Sequence, residues 1–194
     1  MSHITRDSLM TLEAYAKARS DMRAQVMAHK EKRVVRLGEH VVLVFEDEIT
    51  MRYQIQEMLR AEKIFEEAGI QDELNVYNPL VPDGSNWKAT MMIQYPDEAE
   101  RRQRLTELKG IEDRVWVQVA GHDRVFAIAD EDMERANEEK TSAVHFLRFE
   151  LGPAMAAAVK SGIAISMGVD LPAYVIEATI VNPETRTSLA DDLT

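Results

Sequence analysis

The chain of 194 residues contains no cysteine. That absence removes disulfides, thiol nucleophiles, thiolate zinc sites and cysteine-held iron–sulfur clusters together. A metal would have to sit on His, Asp or Glu, and the sequence assigns no cofactor. No apolar run approaches the ~20 residues needed to span a bilayer. The opening MSHITRDSLM lacks the apolar core of a secretory leader, so the cytoplasm is the expected location. Positive charge is scarce: 23 Lys and Arg face 34 Asp and Glu, a formal net charge of −11. Nucleic-acid binders exchange a basic surface for counterions, and anionic lipid asks for the same sign of charge. Neither nucleic acid nor membrane is therefore the expected partner. The local basic run AHKEKRVVR, with Lys30, Lys32, Arg33 and Arg36, reads as a solvated helix end near the negative pole of the helix dipole. GxGxxG, P-loop, GxSxG, HExxH and EF-hand patterns are all missing, as are internal repeats and low-complexity linkers.

What is present is ordinary for a folded protein: 45% hydrophobic and 29% charged residues. The length suits a single domain over residues 1–194, with a helical arm over 1–32 and a flexible tail over 183–194. Leu9, Leu12, Ala16, Met22 and Val26 recur at helical spacing and predict an N-terminal amphipathic helix over about 8–31, capped by Asp7 or Ser8. VVRLGEHVVLVFE predicts a hairpin turning at Gly38-Glu39. DEITMRYQIQEMLRAEKIFEEAG predicts a helix capped by Asp47 and stopped or bent at Gly69. Further strands are expected in WKATMMIQY, RVWVQVAG, RVFAIAD and TSAVHFLRFEL, then a short helix from Pro153 and a last hairpin across Asp170-Leu171-Pro172. PDEAERRQRLTELKG and residues of about 130–140 read as helices. Short links between strands favour antiparallel pairing, without a regular βαβ alternation. The expected fold is α+β: a mostly antiparallel sheet or partly closed barrel with helices packed on one side.

Three places carry polar chemistry in unusual settings. On the QEMLR helix, Met51, Ile55, Met58 and Phe65 form an apolar stripe. Gln56 and Glu57 each stand within reach of Arg60, four and three residues away. They read either as a cluster gripping a small polar ligand or as local ion pairs on a solvated face, which contribute little. His145 shares a strand face with Ala143, Leu147, Phe149 and Leu151, and Arg148 follows Val144 and Phe146 on the reverse. His145 reads as a hydrogen-bonded core residue. The rival is a His/carboxylate site for iron, manganese or zinc with Glu57, Glu138 and Glu139. The loop YNPLVPDGSNWK offers Tyr77, Asn78, Asp83, Asn86 and Lys88, as a binding loop or as a well-built turn.

YQIQEMLRAEKIFEEAGI, YNPLVPDGSNWKATMMIQYP, GIEDRVWVQVAG and EEKTSAVHFLRFEL together resemble an uncharacterised bacterial family, a domain of unknown function described by its QEMLR motif. Here the motif is Gln56, Glu57, Met58, Leu59 and Arg60, and the resemblance covers nearly the whole chain. It implies a single-domain bacterial protein, often encoded near rubrerythrin-like di-iron proteins and iron–sulfur electron-transfer subunits. Leu171 stands where family members often show His, which argues against a metal role at that position. The leading expectation is an accessory or small-ligand-binding protein of a redox or oxidative-stress system, partnered by a rubrerythrin-like or electron-transfer protein. The alternatives are an enzyme built on Glu57, Arg60 and His145, and a structural module that forms a homodimer through an exposed sheet face or edge.

Overall fold

Val41–Glu46, VVLVFE, is apolar up to its last residue and buried at every position. Such a run needs cover on both faces, and it organises the fold around itself. The computed structural model describes residues 3–129, 131 and 140–194. Among these there are six α-helices and two antiparallel sheets. They follow the order α1 (Leu12–Glu31), β1 (Val34–Leu37), β2 (Val41–Glu46), α2 (Glu48–Glu62), α3 (Glu67–Tyr77), β3 (Asn86–Ile93) and α4 (Glu98–Glu107). Then come β4 (Val115–Val119), β5 (Val125–Phe126), β6 (Ile128–Ala129), β7 (Val144–Glu150), α5 (Pro153–Lys160), β8 (Ile165–Leu171), β9 (Tyr174–Ile180) and α6 (Pro183–Ala190). The helix expected over about 130–140 lies outside the described residues, apart from positions 131 and 140.

The first sheet has the order β1-β2-β3-β7-β6 and the second β5-β4-β8-β9. The stretch 125–129 serves both, giving β5 to one and β6 to the other, while Ala127 N–H donates to Val115 O between them (2.9 Å). At the opposite margins β1 and β9 meet through one side chain. Tyr174 Oη donates to Leu37 O (2.7 Å) and accepts from His40 N (3.1 Å). Among the described residues no ladder joins these two strands, so the sheets do not close into a barrel.

The inner faces share one core that contains Phe45, Trp87, Met91, Phe149, Val117 and Met167. Strand alternation accounts for it: in β7, His145, Leu147 and Phe149 are buried while the residues between them are only partly so. Residues 183–194, expected as a tail, contain α6 and place Leu189 and Leu193 in this core. Trp87 Nε1 donates to Leu189 O (2.8 Å), which satisfies a buried indole N–H.

A second, smaller core lies between α2, α3 and the N-terminal segment, built from Ile4, Leu9, Met51, Ile55, Leu59, Ile70 and Leu74. Asp47 caps α2 in a capping box with Thr50, as its position in the sequence predicts. The helix does not run to Gly69. It ends at Glu62 because Lys63 turns left-handed (φ 56°) and Ile64 N–H closes on Leu59 O (2.8 Å). Phe65 therefore leaves the apolar stripe and is 71% exposed, and Gly69 sits inside α3. The first helix starts later than periodicity indicates, with Thr11 as its cap in place of Asp7 or Ser8. Only Tyr15 and Val26 are buried along its 20 residues, so it is not an amphipathic helix of the expected kind. It meets α2 through hydrogen-bonded polar groups.

Gly168 marks a register irregularity between β8 and β9. A Cβ there would overlap both the Trp116 ring and the Ile176 carbonyl oxygen. Gly168→Ala is expected to destabilise the protein by roughly 1–3 kcal/mol, the usual cost of overpacking. Urea unfolding of the variant measures it, and an unchanged midpoint would show that the strands separate there at no cost.

Candidate functional site

The residues singled out by sequence fall into separate neighbourhoods. Gln56 is buried, and its amide behaves as a piece of backbone: Oε1 accepts from Met10 N (2.6 Å) and Nε2 donates to Met10 O (3.4 Å). Asn78 does the same for Ile4, at 2.9 and 3.0 Å. Both strap the N-terminal segment over the smaller core. Glu57 accepts both Nε and Nη2 of Arg19 (2.7 and 2.8 Å) and Tyr15 Oη (2.6 Å). The Arg19 bonds hold its carboxyl well below the ordinary range, at about 2. Arg60 is exposed beside Arg19 and Arg23 in the α1–α2 groove. Tyr77 packs against the smaller core, and burial raises its hydroxyl pKa.

His145 is fully buried on the inner face of β7. Its Nε2 lies 2.8 Å from Thr141 Oγ1 and 3.1 Å from Ser142 O. Thr141 in turn donates to Glu112 Oε2 (3.0 Å). A carbonyl can only accept, so Nε2 carries a proton. This is a hydrogen-bonded core histidine. Its neighbours are Thr141, Ser142 and Glu112, whereas the Glu57 carboxylate is taken by Arg19 and Tyr15. Glu138 and Glu139 lie outside the described residues. Arg148 points to the other face of β7, held by both oxygens of Glu131 (2.7 Å each) and by Glu150. Asn86 donates to Glu150 (2.9 Å) and accepts from Asp83 N (3.2 Å). Asp83, Asn86 and Arg148 are thus one connected group, while Gln56, Glu57, Arg60, Tyr77, Asn78 and His145 belong elsewhere.

Sequence reasoning missed a cleft where α1, α2 and the final helix meet. Its centre is Arg33, read from sequence as part of a solvated helix end and here 1% exposed. Nε donates to Phe45 O (2.9 Å), and Nη1 to Ser188 O and Oγ (3.1 and 3.0 Å). Nη2 donates to Glu46 O (3.2 Å) and Asp192 Oδ2 (2.6 Å). A planar fork of five donors suits such a ring of acceptors. The available signal was alternation: Arg33, Val35 and Leu37 are all buried, two residues apart. Asp47, besides capping α2, accepts from His29 Nε2 (2.5 Å) and lies 3.5 Å from Arg33 Nε. Burial pushes Asp192 up to about 6. Arg33 opposes that shift, and the nearby Asp47 and Asp191 add to it. The cleft has a volume of about 450 Å³. Val81, Pro82, Asp83 and Gly84 line it, so four residues of the expected binding loop do reach it, Asp83 among the candidates named there.

Residues 3–193 match the family described as "Protein of unknown function (DUF3501)". The chain belongs to this family. It is also similar, along its full length and that of the other chain, to a solved structure from Burkholderia pseudomallei K96243. That structure is described as a novel protein of unknown function, with 58% identity and a TM-score of 0.95. No curated protein matches the chain. The likeness therefore fixes the α+β architecture of this DUF3501 chain and leaves its chemistry to be argued from the site. Among the described residues no helix is long and apolar enough to cross a membrane. None of their His, Asp and Glu side chains form a group of three or more suited to a metal ion.

The Asp192 carboxyl is raised above its ordinary 3.8, so folding favours its protonated form. Its contribution to stability is intact below that value and is lost as pH rises through about 6. A shift of this size corresponds to roughly 3 kcal/mol. Urea unfolding between about pH 4 and pH 8 should show wild type losing that much relative to Asp192→Asn. Parallel profiles would contradict the assignment.

Proposed function

We propose that this DUF3501 protein is a small-ligand-binding protein whose ligand is an organic cation of the primary-amine type. The site is the cleft around Arg33, Asp47 and Asp192. The supporting observation is the buried Asp192 carboxyl, raised to about 6, at the wall of a cleft of about 450 Å³. That volume lies in the range of small-molecule sites. The guanidinium of Arg33 is already committed to Asp192 and to four other acceptor atoms. Facing the same space are Asp47, Glu48, Asp83 and Asp191, so the local balance of charge favours a cation. Ile49, Val81 and Pro82 supply apolar wall for a short carbon chain.

An ammonium group beside Asp192 stabilises the ionised carboxylate, because an opposite charge at close range favours the charged form. Binding then releases a proton near pH 6 and strengthens as pH rises through that value. On this reading the chain is an accessory component. The redox association implied by the family resemblance concerns its partners, and the cleft concerns its ligand.

Calorimetric titration with putrescine and with n-butylamine at about pH 5.5 and 7.5 tests this, since binding and proton uptake are linked. The expected result is tighter binding at the higher pH, with heats that depend on the buffer's ionisation enthalpy. Asp192→Asn should weaken it by about tenfold or more, the loss of one charge-assisted contact, while the thermal midpoint stays at or above that of wild type. The absence of binding by either amine at both pH values would overturn the proposal.

A further inference from the structure

A second concave site lies between α1 and α2 and shares no lining residue with the Arg33 cleft. Along α1, Ala16, Arg19, Ser20, Arg23 and Ala24 recur three or four apart, so they stand on one face of the helix. Arg60 comes to that face from the last turn of α2. Together they line an open groove of about 650 Å³. Ala16, Ser20 and Ala24 are small, and every charged side chain lining the space between the helices is an arginine.

Three guanidiniums on one groove stand out in a chain with a formal net charge of −11. One of them is held in place. Glu57 accepts Nε and Nη2 of Arg19 and is itself braced by Tyr15 Oη. The third nitrogen, Arg19 Nη1, makes no hydrogen bond among the described residues. The other two guanidiniums are unpaired: among the described residues, the side chains of Arg23 and Arg60 form no hydrogen bond and no ion pair. Local sequence supplies no counter-charge. Three and four residues to either side of Arg23 stand Arg19, Ser20, Val26 and Met27, none of them acidic. Glu57 is the one acid at that spacing from Arg60, and it is taken by Arg19. Its carboxyl titrates at about 2 and is ionised at neutral pH. Three guanidiniums less that one carboxylate leave two uncompensated positive charges.

We infer that the α1–α2 groove binds a small organic phosphate, gripped by Arg23 from one helix and Arg60 from the other. Like charges gathered without a counter-ion repel one another, and an anion between them removes that cost. The planar fork of a guanidinium matches the oxygens of phosphate. A phosphate monoester carries nearly two negative charges once its second proton has left near pH ~6, which complements the two positive charges of the groove. Arg19, fixed by Glu57, presents Nη1 as a pre-positioned third donor. The Ser20 hydroxyl, which bonds to no described residue, supplies a fourth. The groove is larger than a phosphate group fills, and Met27 offers apolar wall for a short carbon skeleton.

The test is calorimetric titration of the intact protein with glycerol 3-phosphate, at constant ionic strength because salt screens exposed charges. Binding is expected at about pH 7.5 and should weaken at about pH 5, where the ester has lost one of its charges. Arg23→Gln and Arg60→Gln should each weaken it by about tenfold, the order of one hydrogen bond to a charged group. Neither guanidinium bonds to the protein, so both variants should keep the thermal midpoint of wild type. Arg36→Gln removes the same charge from β1, outside the groove, and should leave the affinity unchanged. Tighter binding of the ester than of inorganic phosphate would support a role for the Met27 wall; equal affinity would make free phosphate the ligand. Succinate bound as tightly as the ester would overturn the choice of phosphate. Absence of binding by either phosphate, or an equal loss in Arg36→Gln, would overturn the proposal. No amine enters these titrations, so this proposal and that of the Arg33 cleft fail separately.

Discussion

The guanidinium of Arg33 has been taken out of water, and much of the surrounding structure answers that fact. A buried charge is tolerated only when it is paired and its donors are met. Arg33 obtains its acceptors from the end of β2 at Phe45 and Glu46 and from the C-terminal segment at Ser188 and Asp192, while the α2 cap Asp47 stands 3.5 Å away as a further counter-charge. Removing the partner of a buried charge without leaving an acceptor in its place typically costs 3–5 kcal/mol, about as much as a marginal domain can spare. The same demand brings Asp47 and Asp192 together and leaves a space lined by carboxylates beside them. The cleft is the remainder of a problem in charge burial.

Polar groups also do the work that periodicity assigned to apolar ones at the other end of the molecule. Tyr15 and Arg19 hold α1 to Glu57, and Gln56 and Asn78 hold the N-terminal segment by its backbone. Two amides bonding both the N–H and the C=O of one residue each imitate a strand of sheet. Ile4 and Leu9 are thereby placed in the smaller core, although they precede the first long helix. The QEMLR residues that look chemical in the sequence are fasteners: Gln56 ties a strap, Glu57 ties a helix, and Leu59 fills the core between them.

Local pattern carried a reader far along the elements and less far into space. The alternation in β7, the capping box at Asp47, the antiparallel hairpins and the Pro153 helix start are all short-range features, and all were legible. The end of α2 was not, because a left-handed Lys63 leaves no glycine to mark it. His145 could be recognised as out of place, but its partners Thr141 and Glu112 are brought to it by the fold, the latter from 33 positions upstream. Arg33 shows the limit most plainly. Its phase with Val35 and Leu37 was there to read, but the acceptors that make its burial tolerable come mostly from distant parts of the chain. The groove shared by Arg19, Arg23 and Arg60 likewise depends on how α1 lies on α2, which neither segment encodes alone.

The bond from Trp87 to Leu189 bears on how this protein comes to be folded at all. It spans 102 residues, and the bond from Arg33 to Ser188 spans 155. Until residue 189 has left the ribosome, the indole has no acceptor, the guanidinium lacks part of its ring, and one wall of the larger core is open. Closing contacts between distant segments is slow, and exposed apolar strands aggregate while they wait. The larger core therefore stays incomplete until Leu189 and Leu193 have emerged to close it.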